Sequence, residues 1–60
     1  MPFVQVKLFE GRTREQKAEL ARRFTDAMVE VGGCSPEAVS IVFEDCAKGD
    51  WAEGGRLCDE

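Results

Sequence analysis

Histidine and tyrosine are absent from this 60-residue sequence, and its only cysteines are Cys34, Cys46 and Cys58. No two cysteines form a C-x-x-C pair, so together with the absence of histidine the sequence argues against a zinc site. An odd number of cysteines also argues against a disulfide framework. We therefore expect no metal site, a reducing compartment, and three thiols that take no part in function.

Long apolar runs are also missing. No stretch approaches the length of a transmembrane helix or of a secretory signal, which predicts a cytoplasmic protein that does not bind a membrane. Sixty residues allow one domain, which we place at residues 1–60. Because a chain of this size buries only about 60% of its unfolded surface, we expect partner subunits to stabilise it.

Positive charge is scarce as well. Eight basic residues are set against twelve acidic ones, and the net charge is −4. The basic residues mostly alternate with acidic ones along a predicted helix, so we expect no binding of nucleic acid. Arg12 and Arg14 still create a locally positive region, and an anionic small molecule is predicted to bind there.

The segment from Phe3 to Phe9 alternates in hydrophobicity as a β-strand does. One face carries valine and leucine side chains and is predicted to cover a helix. The other face presents Phe3 and Phe9, which need a further apolar surface. We predict that a second subunit supplies that surface.

A helix is predicted to follow this strand. Thr13 and Gln16 form a capping-box pattern, so the helix should begin near Arg14, and Gly32-Gly33 should end it. Its apolar residues recur at three- and four-residue spacing and predict one buried stripe, made of Leu20, Ala21, Phe24, Ala27, Met28 and Val31.

After a turn at residues 34–37, alternation from Val39 to Glu44 predicts a second strand, and irregular chain is expected from Asp45 onward. Gly54-Gly55 predicts the turn of a short hairpin between Trp51 and Leu57. The predicted fold is α+β, a single βαβ unit with two parallel strands and a C-terminal hairpin. Two strands are too few to stand alone, so dimerisation should extend them to a four-stranded sheet.

Pro2 directly follows the initiator methionine and leads into the first strand. Removal of Met1, which a small following residue favours, would give Pro2 a free secondary amine. Burial of that amine, or a nearby cation, would lower its pKa towards neutrality, where a proton-transfer base is effective. Most prolines at this position do no chemistry, so position alone leaves both interpretations open.

Three segments together resemble the 4-oxalocrotonate tautomerase (2-hydroxymuconate tautomerase) family. They are Pro2 followed after seven residues by Glu10-Gly11-Arg12, the helix opening Thr-Arg-Glu-Gln-Lys, and residues 47–55. The resemblance covers nearly the whole chain. It implies the tautomerase fold, Pro2 as catalytic base, no cofactor, and βαβ dimers that assemble in threes into a homohexamer.

The resemblance also implies a substrate-binding set. Arg12 matches the arginine that holds a substrate carboxylate in a neighbouring subunit's site, and Arg14 is a candidate second contact. Trp51 matches an aromatic residue, usually phenylalanine, that lines the site and excludes water. The backbone of Phe9 is a candidate N–H donor to the substrate. A surface position for Arg12 and interface packing for Trp51 are the alternatives.

Ser40 departs from the family's pattern. It stands where the best-known members carry a second arginine, which binds the 2-oxo-acid end of the substrate. Serine can donate a hydrogen bond but brings no charge, and an electrostatic donor of this class contributes roughly 10²–10³ in rate. Lys48 is a weaker candidate for supplying the missing charge.

These features predict a keto–enol tautomerase of an unsaturated or aromatic 2-oxo acid, in which Pro2 removes and returns the proton. Two alternatives remain open. One is a proline-dependent hydratase, dehalogenase or decarboxylase of small unsaturated acids. The other is a catalytically weak subunit of a hetero-oligomer, in which a sister chain supplies the arginine.

Overall fold

The computed structural model describes residues 2–60, so the expected removal of Met1 lies outside the described residues. The first strand, β1 (Phe3–Phe9), and the second strand, β2 (Ser40–Cys46), pair in parallel as a two-stranded sheet. The helix α1 (Arg14–Gly32) connects them. The predicted βαβ unit is confirmed.

The pairing of β2 with β1 extends beyond the predicted end of β2. Phe3 lies opposite Ser40 and Phe9 opposite Cys46, and the Glu10 N–H donates to the Cys46 carbonyl at 3.1 Å. The expectation of irregular chain from Asp45 onward was therefore wrong by two residues. The backbone hydrogen bonds continue the strand there, although side-chain alternation has already ended.

The helix begins with the predicted capping box. The Gln16 N–H donates to the Thr13 hydroxyl at 3.1 Å, and the Thr13 N–H donates to the Gln16 side chain at 2.9 Å. At the other end, Gly33 has a φ of 74°, and its N–H donates to the Val29 carbonyl at 3.2 Å. Glycine adopts this left-handed conformation without a steric penalty, so it ends the helix.

Removal of the capping hydroxyl should have a measurable effect on stability. We expect Thr13→Ala to lower the free energy of unfolding by about 1 kcal/mol per chain, because the first turn loses a side-chain acceptor. Urea denaturation followed by circular dichroism measures this change. Ser35→Ala is the matched control, since Ser35 precedes a 3-10 turn without making a side-chain capping bond. An equal loss in both variants would contradict the capping argument.

One face of the sheet packs against α1. Phe24 of the helix stacks on Phe43 of β2, with ring centroids 6.5 Å apart. The inward side chains of both strands are half-buried, namely Val4, Val6, Leu8, Ile41 and Phe43. The predicted helical stripe is shorter than expected, because Ala27 is exposed and Val31 is 90% exposed. Within residues 2–60, no side chain is fully buried.

The C-terminal hairpin is confirmed. Its strands are β3 (Ala52–Glu53) and β4 (Arg56–Leu57), which pair antiparallel around Gly54-Gly55. These two glycines have φ values of 60° and 82°, which suit the tight turn of a two-residue hairpin. A 3-10 turn, Lys48–Asp50, joins β2 to the hairpin, and another, Pro36–Ala38, precedes β2.

The chain is extended rather than round. Its radius of gyration is 14.3 Å, whereas a compact 60-residue domain has a radius near 10 Å. Its dimensions are 42 × 24 × 14 Å. On the outer face of the sheet, Phe3 is 61% exposed and Val42 is 45% exposed. This shape leaves apolar surface uncovered in a single chain.

No helix within residues 2–60 is both long and apolar enough to cross a membrane.

Candidate active site

The predicted site residues fall into two groups at opposite ends of β1. Pro2 and Ser40 lie at its start, whereas Phe9 ends the strand and contacts both Arg12 and Trp51. At about 3.3 Å per residue, seven residues of strand separate Pro2 from Phe9 by roughly 23 Å. One chain therefore does not join the two groups into a single site.

Pro2 is held against the sheet by its backbone. The Ser40 N–H donates to the Pro2 carbonyl at 3.1 Å, which extends the parallel ladder one residue beyond β1. Pro2 is half-buried and Ser40 is exposed. A hydrogen bond of this kind orders a segment that is frayed in most proteins. Any group carried by Pro2 is thereby fixed relative to the strand.

The second group forms a cluster around Phe9, and we call Phe9, Arg12, Lys48 and Trp51 the Phe9 cluster. The rings of Phe9 and Trp51 are 4.6 Å apart between centroids and inclined at 57°. Arg12 Nη1 donates to the Phe9 carbonyl at 3.2 Å. Lys48 Nζ lies 5.7 Å from the centre of the Phe9 ring, within the range of a cation–π contact. Two cations and two aromatic rings thus meet at one end of β1.

Local structure explains how the Arg12 side chain contacts the end of β1, three residues before it in the chain. Gly11 has a φ of 125°, a conformation that side chains rarely adopt, and this turn directs Arg12 back towards Phe9. The capping box then fixes the backbone at Thr13, the residue after Arg12. We therefore attribute the glycine between Glu10 and Arg12 to this reversal of the chain.

Trp51 and Lys48 are positioned by the segment between β2 and the hairpin. The Trp51 N–H donates to the Lys48 carbonyl at 3.3 Å, and the Trp51 carbonyl accepts from the Cys58 N–H at 2.8 Å. The tryptophan is thus tied to the 3-10 turn on one side and to the chain after β4 on the other. Its ring packs on Phe9 of its own chain, where the sequence had predicted a surface from a second subunit.

The backbone N–H of Phe9 points away from β2. Glu10 donates its N–H to Cys46, and backbone groups alternate in direction along a strand, so the N–H of the preceding residue points to the opposite edge. The Phe9 carbonyl, which accepts from Arg12, points the same way. Both groups therefore lie at the outer edge of β1.

A cavity of about 450 Å³ lies between α1 and β2, away from the predicted catalytic residue. Arg14 lines it, so this arginine has a different environment from the Phe9 cluster. Its side chain has no carboxylate partner among residues 2–60. The lining residues are Arg14, Lys17, Ala18, Ala21 and Phe43.

Comparison with known proteins gives a consistent result across the chain. Residues 2–59 match the family model described as tautomerase enzyme. A probable tautomerase of Bacillus cereus is 44% identical over 61 residues, covering all of both chains.

Solved structures agree with this match. The crystal structure of YwhB, a homologue of 4-oxalocrotonate tautomerase, has a TM-score of 0.94 and 37% identity, over 98% of this chain and 97% of that one. A heterohexamer 4-oxalocrotonate tautomerase from Chloroflexus aurantiacus has a TM-score of 0.93 and 30% identity, over 100% of this chain and 97% of that one. The similarity includes both ends of β1.

Proposed function

The chain belongs to the tautomerase family and has its fold, and from this premise we propose that it is a keto–enol tautomerase of an unsaturated or aromatic 2-oxo acid. The observation that carries the proposal is the arrangement of β1. An ordered N-terminal proline lies at one end, and a cationic and aromatic cluster lies at the other.

Pro2 is the proposed proton carrier. After removal of Met1, its neutral amine takes a proton from the enol hydroxyl or from an acidic carbon of the substrate. The resulting prolinium returns that proton to a different carbon, which completes the conversion between enol and ketone. One group acts first as base and then as acid, so the reaction requires no cofactor or metal.

The Phe9 cluster of one subunit is proposed to complete the site around Pro2 of another. Arg12 uses one donor on the Phe9 carbonyl and retains others for a substrate carboxylate. The outward N–H of Phe9 is a further donor. Trp51 excludes water, which keeps the Pro2 amine neutral and strengthens the electrostatic interactions in the site.

A homohexamer, built as a trimer of dimers, is the proposed assembly, and the cytoplasm is the proposed location. The uncovered Phe3 and Val42 side chains and the absence of full burial in residues 2–60 support an oligomer. Pairing two chains would extend the two-stranded sheet to four strands. The roughly 23 Å between the two groups of site residues supports the same conclusion.

Ser40 favours a second candidate, a subunit of a hetero-oligomeric tautomerase. Its backbone N–H donates to the Pro2 carbonyl at the start of the sheet, and its side chain carries no charge. The Chloroflexus aurantiacus relative is a heterohexamer. In such an assembly a sister chain would bring the arginine that position 40 lacks. Copurification of a related chain from the native host would support this candidate, and an active homo-oligomer would reject it.

The test of the proposed function combines intact mass with activity on one sample. We expect protein that has lost Met1 to ketonise 2-hydroxymuconate or phenylenolpyruvate, measured by the change in ultraviolet absorbance. Protein that keeps Met1 should be inactive. Full turnover by the form that retains Met1 would reject Pro2 as the base. Processed protein that is inert to both enols, alone and with its native partners, would reject the proposed substrate class.

Thermal stability should depend on protein concentration. Because single chains leave apolar surface exposed, unfolding should be coupled to dissociation, and Tm should fall by several degrees on roughly hundredfold dilution. Differential scanning fluorimetry over a dilution series, with sedimentation velocity on the same samples, measures both events. A Tm that stays constant while the protein dissociates would show that single chains are stable.

A further inference from the structure

Lys48 differs from the other two lysines of the described chain. Lys7 Nζ lies 3.6 Å from a carboxylate oxygen of Glu44, and Lys17 Nζ lies 2.8 Å from one of Asp45. Across residues 2–60, Lys48 forms no such ion pair within 4.0 Å. Its contact is the face of the Phe9 ring.

Three of the five arginines form ion pairs within residues 2–60, whereas Arg12 in the Phe9 cluster and Arg14 in the cavity do not. Arg22 and Arg23 both donate to Glu19, and these hydrogen bonds hold the pKa of Glu19 below its ordinary value. Arg56 pairs with Glu60 at 3.5 Å. Arg12 forms no ion pair within residues 2–60, and its side chain donates a hydrogen bond to a neutral carbonyl. In a chain with a net charge of −4, two cations without carboxylate partners meet in the Phe9 cluster.

The surroundings of these two cations suit a carboxylate ligand. Arg12 contacts the backbone side of Phe9, and Lys48 lies over its ring, so both charges flank one aromatic residue. The ring of Trp51 lies beside that of Phe9, with 4.6 Å between the two centroids. Apolar walls beside a charge reduce competition from water and strengthen its attraction for an anion.

We propose that Lys48 is a second carboxylate-binding residue of the site, beside Arg12, and that it strengthens the binding of ligands that carry a carboxylate at the Phe9 cluster. This inference rests on the proposed function, and it places the Phe9 cluster at the substrate end remote from the 2-oxo acid. Ser40 brings no charge to the start of β1. The cationic groups that would recognise the substrate are thus concentrated at the Phe9 cluster. A substrate with a carboxylate at that end should therefore bind more tightly than one without it.

The test measures the binding of two matched ligands to the intact oligomer by calorimetry. Muconate and sorbate share a six-carbon diene acid, and sorbate has a methyl group where muconate has its second carboxylate. We expect muconate to bind more tightly, and Lys48→Gln to weaken muconate binding about tenfold, as the loss of one charged hydrogen bond would. The ratio of muconate affinity to sorbate affinity should therefore also fall in Lys48→Gln. Lys48→Arg should retain most of that ratio.

Arg23→Gln is the control for net charge, because it removes one positive charge from the exposed face of α1. It should leave the preference for muconate unchanged. Equal weakening of both ligands by Lys48→Gln would overturn the proposal and assign Lys48 to supporting the Phe9 ring. Unchanged muconate binding, or no binding to the wild-type protein, would also overturn it.

Muconate has no enol to convert, so this result is independent of turnover. Muconate binding that depends on Lys48, in a protein that ketonises no enol, would reject the tautomerase and retain the carboxylate site. Turnover of 2-hydroxymuconate with binding independent of Lys48 would retain the tautomerase and reject the role of Lys48.

Discussion

Replacing Pro2 with alanine should lower kcat/KM for the preferred enol by about 10²-fold, towards the lower end of what a positioned acid–base group contributes. The variant keeps an N-terminal amine, but a flexible primary amine replaces the rigid secondary one. Acetylation of the variant's N-terminal amine should remove the remaining activity, because it eliminates the basic nitrogen. Initial rates at several substrate concentrations, with intact mass on every sample, measure both effects.

Pro36 provides the matched control, since the chain contains only these two prolines. Pro36 begins a 3-10 turn before β2 and takes no part in either group of site residues. Pro36→Ala should therefore leave kcat/KM within about twofold of wild type, as surface substitutions usually do. A Pro2→Ala protein with wild-type kinetics would show that proton transfer uses another group.

Mixing two inactive variants should restore activity if each site combines two chains. We expect Pro2→Ala and Arg12→Gln to be strongly impaired separately. When equal amounts are unfolded together and refolded, about one quarter of the sites in a randomly mixed symmetric oligomer should receive an intact Pro2 from one chain and an intact Arg12 from another. The recovered kcat should approach that fraction of the wild-type value.

The same mixture without the unfolding step is the control for subunit exchange, and each variant refolded alone is the control for reversion. Native mass spectrometry confirms that mixed oligomers have formed. Mixed oligomers that stay as inactive as their parents would show that Pro2 and Arg12 do not act in a site shared between chains.

Most of the fold is encoded in local sequence. The capping box of Thr13 and Gln16 and the stop at Gly33 are signals between neighbouring residues, and both ends of α1 lie where these signals predict them. The strands have period-two alternation, and both were predicted within two residues of their observed ends.

The extent of the buried stripe could not be predicted from periodicity. Nineteen helical residues span about 28 Å at 1.5 Å each, whereas a seven-residue strand covers about 23 Å. The helix therefore extends beyond the sheet, and Val31 is left without a surface to pack on. Helical periodicity describes which residues share a face, but not what that face meets.

For the candidate site, too, the sequence predicted which residues take part but not how they are arranged. The sequence resemblance predicted Pro2, Arg12, Trp51, Phe9 and Ser40 as site residues, but their grouping required the three-dimensional structure. Phe9 and Trp51 are 42 positions apart, and no local pattern signals their contact. Lys48 had only weak support, because a lysine in a turn carries no periodic signal. Its position over Phe9 distinguishes it from the paired lysines.

The hydrogen bond between Ser40 and Pro2 fixes the position of the proposed catalytic residue through main-chain atoms alone. The donor is a backbone N–H and the acceptor is a backbone carbonyl, so the bond uses no atom of the serine side chain. Every residue except proline can make the same bond from position 40. The side chain there can change between neutral and cationic without moving Pro2, so under the proposed function substrate preference can diverge while the proposed proton carrier keeps its place.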